Sequence, residues 1–332
     1  MLIDFYYITE MADTKKQHYI PQFLLENFSV NEKHQINVFN KETGKKFVAN
    51  ITDIAHENHL YDIKTGKETR SLEPAFAELE SDAAPIIKRI IECKSLGGLD
   101  EDNKVILSMF IAIQSLRTRY DIDNSKKMMI DFLRWALPIE MAASDYELPD
   151  ELRSVNFSDL LKEAKIDVKD DFIKSLHFKS AADIAREVVP RILSMDWLLF
   201  ETVPDEPFLI GDGAVVMTNE HPDFNKRGLG FAVPYIQIYL PLSNTLMLGL
   251  HSPLIKKDIK EERITLQKRN PVLAKKFIKI SNPHFQALVS KRPLQLTKEN
   301  VKYYNHLQIL QSGRFLYSRN DDFSLARDML NL

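Results

Sequence analysis

The chain has 332 residues, 44% of them hydrophobic and 27% charged, a balance that supplies ample apolar mass for a core and excludes an intrinsically disordered chain. Lysines and arginines number 44 against 47 aspartates and glutamates, so the formal charge is −3. The strong positive field of a non-specific nucleic-acid binder is therefore missing, and net charge does not support nucleic acid as a partner.

The opening "MLIDFYYITEMADTKK" has an apolar patch broken by Asp4, no basic leader and no small-residue cleavage site, which argues against a secretion signal. Met11 followed by "ADTKK" resembles a natural start, so residues 1–16 are expected to be a flexible extension. No apolar run reaches the ~20 residues that span a bilayer, and the single cysteine, Cys93, rules out intrachain disulfides and cysteine-rich zinc sites. These features fit a soluble cytoplasmic protein with no membrane partner.

"QHYIPQFLLENF" (17–28) interleaves His18, Gln22 and Asn27 with Tyr19, Phe23, Leu24, Leu25 and Phe28, and Pro21 suits the first turn of a short helix. The aromatics are expected to plug a core while the polar residues face a pocket. "QINVFN", the turn "KETGKK" with Gly44, and "FVANI" form a β-hairpin, and "HLYDI" adds one strand. In "AHENH", His56 and His59 lie three apart beside Glu57 and Asp62, but a loop does not align both imidazoles, so these are surface histidines rather than metal ligands.

From residue 71 the period becomes helical. Ser71 is a candidate cap, with Glu73 and Pro74 in the first turn and Gly97-Gly98 as the stop. Glu73 and Glu80 share one face of this helix, which a carboxylate pair in a cleft would explain, but capping by Glu73 with solvation of Glu80 is the better account. Asp100 caps an amphipathic helix over 101–120, on which Gln114, Arg117 and Thr118 lie on or beside one face. Further helices are expected at 124–143, 157–165 and 181–194, with Pro190 shortening the last.

Near residue 197 short strands begin: "WLLFETV", "PFLIGD", "AVVMTN", "YIQIYLPL" and "TLMLGLH". Their connections are too short for crossover helices, so one antiparallel sheet of about five strands is expected. Asp212 stands between two glycines in "LIGDGAVV", where the backbone approaches something closely. The lysines and arginines between Lys256 and Lys279 suit solvated helix faces better than a phosphate track. "NPVLAKKFIKIS", "PHFQALVSK" and "TKENVKYYNHLQILQSG" continue the helical tail, which closes on "RFLYS" and carries the polar set Asn305, Gln308 and Arg314.

In order, "QHYIPQFLLENF", the helix with Glu73 and Glu80, "IQSLRTR", the apolar strand leading to Asp212, "YLPLS" and "YNHLQILQSGRFLYS" resemble the family called domain of unknown function 4238 (DUF4238), over residues 17 to 318. Where that family usually has Ser-Asp-Asn-Pro, this chain keeps only Asp212. The resemblance implies no activity.

The expected architecture is α+β: a helical middle packed with a mainly antiparallel sheet, an N-terminal β-hairpin and C-terminal helices. One compact unit over 17–320 is expected, divided into wedge and hairpin (17–70), helical region (71–195), strands (196–252) and C-terminal helices (253–320). His18 as acid/base and Asp212 as an orienting carboxylate are the candidate catalytic residues, and Gln22, Gln114, Arg117, Asn305, Gln308 and Arg314 the candidate substrate-binding residues. No residue is assigned as a metal ligand, although a divalent metal would suit Asp212.

These residue types fit a hydrolase or nuclease-like enzyme acting on a phosphorylated or nucleotide-containing substrate. Acyl transfer through a Gly-x-Ser-x-Gly elbow and P-loop chemistry both lack their motifs. The alternatives are a non-catalytic ligand-binding or sensing protein, as in bacterial or phage conflict, and a purely structural polar network.

Overall fold

The computed structural model describes residues 9–10, 15–65, 68–143, 166–203, 205–224 and 228–332. The first part holds β1 (Thr9–Glu10), β2 (Lys16–His18), α1 (Gln22–Glu26), β3 (Gln35–Asn40), β4 (Lys46–Asn50), β5 (His56–Asn58), β6 (Asp62–Thr65) and β7 (Glu68–Ser71). Four long helices follow: α2 (Glu73–Cys93), α3 (Glu101–Leu116), α4 (Arg119–Ala143) and α5 (Asp170–Leu193). Then come β8 (Asp196–Glu201), β9 (Ile210–Gly211), β10 (Val216–Thr218), β11 (Gln237–Pro241) and β12 (Leu246–His251). The chain closes with α6 (Pro253–Arg269), α7 (Pro271–Ser290), β13 (Leu294–Gln295), α8 (Lys298–Leu310), β14 (Phe315–Ser318) and α9 (Ser324–Leu330). The fold is α+β. The expected helix at 157–165 lies outside the described residues.

The expected single sheet divides in two. β10-β11-β12-β8-β13 forms one, antiparallel except where β13 runs parallel to β8. β4-β3-β14-β9 forms the other, so the N-terminal hairpin gains a strand from each of two distant segments. "PFLIGD" thus belongs with the hairpin rather than with its sequence neighbours, because its two-residue strand pairs with Leu316 and Tyr317. Two smaller pairings, β2 with β5 and β1-β7-β6, frame the wedge, and the latter takes in residues 9–10 of the expected extension.

α2 buries Phe76, Leu79, Ala83, Ile86, Ile87 and Ile90, the stripe a helix of 3.6 residues per turn presents to one partner layer. It ends at Lys94, in left-handed conformation (φ 47°), before the two glycines are reached. α3 is buried continuously from Leu107 to Ser115, as befits a central helix with partners on every side. Asp100 caps it through the Asn103 N–H at 2.8 Å.

The run expected to continue to residue 120 breaks at Arg117, because the Thr118 hydroxyl accepts the Asp121 N–H and starts α4. In the tail, α7 runs unbroken through Pro283, joining two stretches expected to be separate. A continuous apolar core links Tyr19 and Phe28 of the wedge, α2, α3, α5, both larger sheets and Tyr317. No helix among the described residues is long and apolar enough to cross a membrane.

Candidate active site

Where β2 turns into α1, the wedge leaves a cavity of about 640 Å³ against α2. Antiparallel pairing of β2 with β5 sets His18 opposite His56, their rings edge to face with centroids 5.2 Å apart. Gln22 follows one turn later, its side-chain amide 3.4 Å from His18 Nδ1. From α2 the wall receives Glu73, Ala77, Glu80, Ser81 and Ala84, and Lys16 and Phe23 complete its rim. The spacing of seven puts both glutamates on one face of the helix, and Ala77 between them with Ser81 and Ala84 beyond leaves room for a ligand.

Burial, reinforced by the charge of Glu80, pushes the Glu73 carboxyl up to about 7, against the pull of Arg117. A carboxylic acid in that range exchanges a proton at neutral pH. Glu80 is held differently: its Oε1 lies 2.7 Å from Arg117 Nη1. Arg117 is buried behind the wall, its Nε donating to Gln114 Oε1 at 2.9 Å and its guanidinium lying over the Phe76 ring. Gln114 in turn donates to the Tyr19 carbonyl at 2.8 Å. Wedge, α3 and α2 are therefore tied together beneath the cavity floor.

His18 is pushed down to about 4 by burial, then by His56 and Lys16, so its imidazole is neutral through the physiological range. It offers a neutral, hydrogen-bonding ring to the cavity. His18 Nε2 and Arg117 Nη2 are among the buried polar atoms that lack a protein hydrogen-bond partner. His59, of the "AHENH" segment, pairs with Asp62 at 2.8 Å. Among the described residues no three His, Cys, Asp or Glu side chains gather as metal ligands.

The expected set thus divides. His18 and Gln22 line the cavity, with Arg117 and Gln114 behind it, whereas Asp212, Asn305, Gln308 and Arg314 do not line it. Asp212 is buried in the turn after β9 and accepts backbone N–H groups from Gly313 (2.6 Å), Arg314 (2.7 Å) and Phe315 (2.8 Å). Burial still raises its carboxyl, against these three donors. The His18–Asp212 couple expected from the sequence is not assembled.

Asn305 and Gln308 each hold the backbone of the 207–217 segment with both ends of the amide: Asn305 bonds Leu209 N–H and the Pro207 carbonyl, and Gln308 bonds Gly211 N–H and the Ala214 carbonyl. Gln311, not singled out in the sequence, does the same with Met217 N–H and carbonyl. One face of α8, continued by its C-cap residue Gln311, is therefore an amide ladder for an irregular strand. The close approach permitted by the glycines is to α8 as well, since a Cβ at Gly213 would lie 2.6 Å from the Gln311 carbonyl oxygen. The Arg314 side chain reaches outward to Glu42 at 3.0 Å.

Glu73 and Glu80, for which the sequence favours capping and solvation over a carboxylate pair in a cleft, both line the cavity wall. Their shared helix face was the signal; the wedge residues that enclose them in one cavity are far away in sequence. A family model described as "Protein of unknown function (DUF4238)" matches residues 16–322. No curated protein and no solved structure matches the chain.

Proposed function

The chain belongs to the DUF4238 family, and from its cavity we propose that it is a hydrolase that cleaves the glycosidic bond of a nucleotide-containing substrate by acid–base catalysis. This narrows the broader reading of a hydrolase or nuclease-like enzyme for phosphorylated or nucleotide-containing substrates. The observation that carries it is the pairing of Glu73, half-buried and without a cationic hydrogen-bond partner among the described residues, with Glu80, fixed by Arg117, on one wall of an open cavity.

The charges of the wall favour bond breaking at a sugar over attack at phosphorus. Arg117 is engaged by Glu80 and lies out of reach as an anion clamp, so a phosphoryl group in transit would face the Glu80 carboxylate and the Glu73 carboxyl. A glycosidic transition state carries positive charge on the sugar, which a fixed carboxylate stabilises. In this scheme protonated Glu73 delivers its proton to the departing base as the C–N bond breaks, and Glu80 faces the developing cation. Water then adds to the sugar carbon and returns a proton to Glu73. Neutral His18 and Gln22 hydrogen-bond sugar hydroxyls, Phe23 supplies a ring for the base, and Lys16 stands at the rim for a phosphate.

The test is chromatography of free base released from dinucleotides, nucleotides and nucleosides by the purified protein and by Glu73→Gln. Release that falls at least a hundredfold in the variant, with thermal unfolding retained, supports the reading; equal release by both overturns it. Non-catalytic ligand binding or sensing, in bacterial or phage conflict among other settings, is supported by the uncharged His18 ring and its Gln22 contact. A small molecule retained unchanged in native mass spectra, with no base released from any substrate, selects that role.

A further inference from the structure

A second cavity, of about 540 Å³, lies between α4 and α5 on other residues than the first. Its walls are mostly apolar, including Met128, Phe132, Leu176 and Ile184, and its polar side chains are Ser125, His177 and Ser180. Such a composition, broad apolar walls with a few convergent polar groups, is that of a small-molecule site.

Two of those groups are bonded to each other. Ser125 Oγ lies 2.8 Å from His177 Nδ1, and His177 Nε2 bonds the Leu116 carbonyl at the end of α3. A carbonyl only accepts, so Nε2 carries the ring proton and Nδ1 presents its lone pair to the serine hydroxyl. A hydroxyl held by a base whose tautomer is fixed by a third group is the arrangement of an activated nucleophile. His177 is buried while Ser125 is partly open to the cavity. From this arrangement we infer that Ser125 and His177 are the nucleophile and general base of a second site, which hydrolyses carboxylic esters with short apolar acyl chains.

The reaction balances with water as the only co-reactant. Ser125 Oγ bonds to the acyl carbon while its proton passes to Nδ1 of His177. The bond from that carbon to the alcohol oxygen breaks, and the alcohol leaves with the proton from Nδ1. Water, deprotonated by His177, then attacks the acyl-serine, releasing the acid and restoring the hydroxyl. Ser180 is the remaining hydroxyl in the wall for the carbonyl oxygen, and the apolar walls set the acyl preference. Ser125 stands within the second turn of a helix rather than on a strand-to-helix elbow, so the usual serine-hydrolase motif does not mark it.

The full chain is treated with a fluorophosphonate probe and the adduct located by peptide mass spectrometry, in parallel with hydrolysis of p-nitrophenyl butyrate. The expected result is an adduct on Ser125, with ester turnover at least tenfold lower in both Ser125→Ala and His177→Gln. Thermal unfolding monitors folding, and Ser125→Ala removes only one oxygen. A folded wild type that leaves Ser125 unlabelled, or a Ser125→Ala variant that keeps wild-type turnover, overturns the inference.

Discussion

Arg117 holds Glu80 at 2.7 Å while its own side chain is only 2% exposed, against 27% for Glu80. Removing one partner of such a pair leaves a buried charge uncompensated, at a cost of about 3–5 kcal/mol. Glu80→Ala should destabilise by that amount in urea unfolding. The double variant Arg117→Met, Glu80→Met should recover most of it, since replacing both charges with apolar groups removes the unpaired ion.

Glu73 gives a pH signature. Its folded pKa, about 7, lies above the ordinary 4.5, so the folded state holds the proton more tightly than the unfolded one. Stability conferred by this residue is present below pH 4.5 and is lost as pH rises to about 7, then levels off. Glu73→Gln should match wild type near pH 4 and become progressively the more stable of the two up to pH 7. Thermal unfolding across that range measures the divergence.

His251 has the opposite sign. Burial, then His284, pushes it down to about 3 from 6.5, so the unfolded chain takes up a proton first as the pH falls. The wild type should lose stability from pH 6.5 down to about 3. His251→Gln should flatten that slope while lowering stability at pH 7, because it disturbs the bond with the Tyr239 hydroxyl. Acid titrations followed by circular dichroism separate the two effects.

Asp212 and Gly249 should behave as structural residues. Asp212→Asn replaces a carboxylate that accepts three N–H groups by an amide with one acceptor oxygen, for a loss of about 1–3 kcal/mol. Gly249→Ala would set a Cβ 2.3 Å from Phe200 Cε2 inside the main sheet, an overpacking cost of about 1–3 kcal/mol. In both, the fraction that remains folded should keep wild-type activity at the Glu73 cavity.

Local chemistry was legible in the sequence. The Gly44 turn has the positive φ, 66°, that its hairpin needs, Asp100 caps α3, and Gln114 stood out as polar in an apolar run because it is buried. Pairing at long range was not legible: two-residue β9 and β13 carry no periodicity, and their partners are chosen by the core. The amides of α8 have the residue types of a ligand site, and only coordinates show them bonded to a neighbouring strand. Spacing marks Glu73 and Glu80 as sharing a helix face but not the raised proton affinity of Glu73, and it does not mark the Ser125–His177 pair, because burial by the wedge and the packing of α4 on α5 bring these groups into their settings.

A Glu73 that carries a proton at neutral pH is the centre of the proposed chemistry. Carbon-13 NMR of the glutamate side-chain carboxyls through a pH titration, with the Glu73→Gln spectrum identifying the signal, measures it directly. The Glu73 resonance should titrate near pH 7. A midpoint in the ordinary range near 4.5 would contradict it.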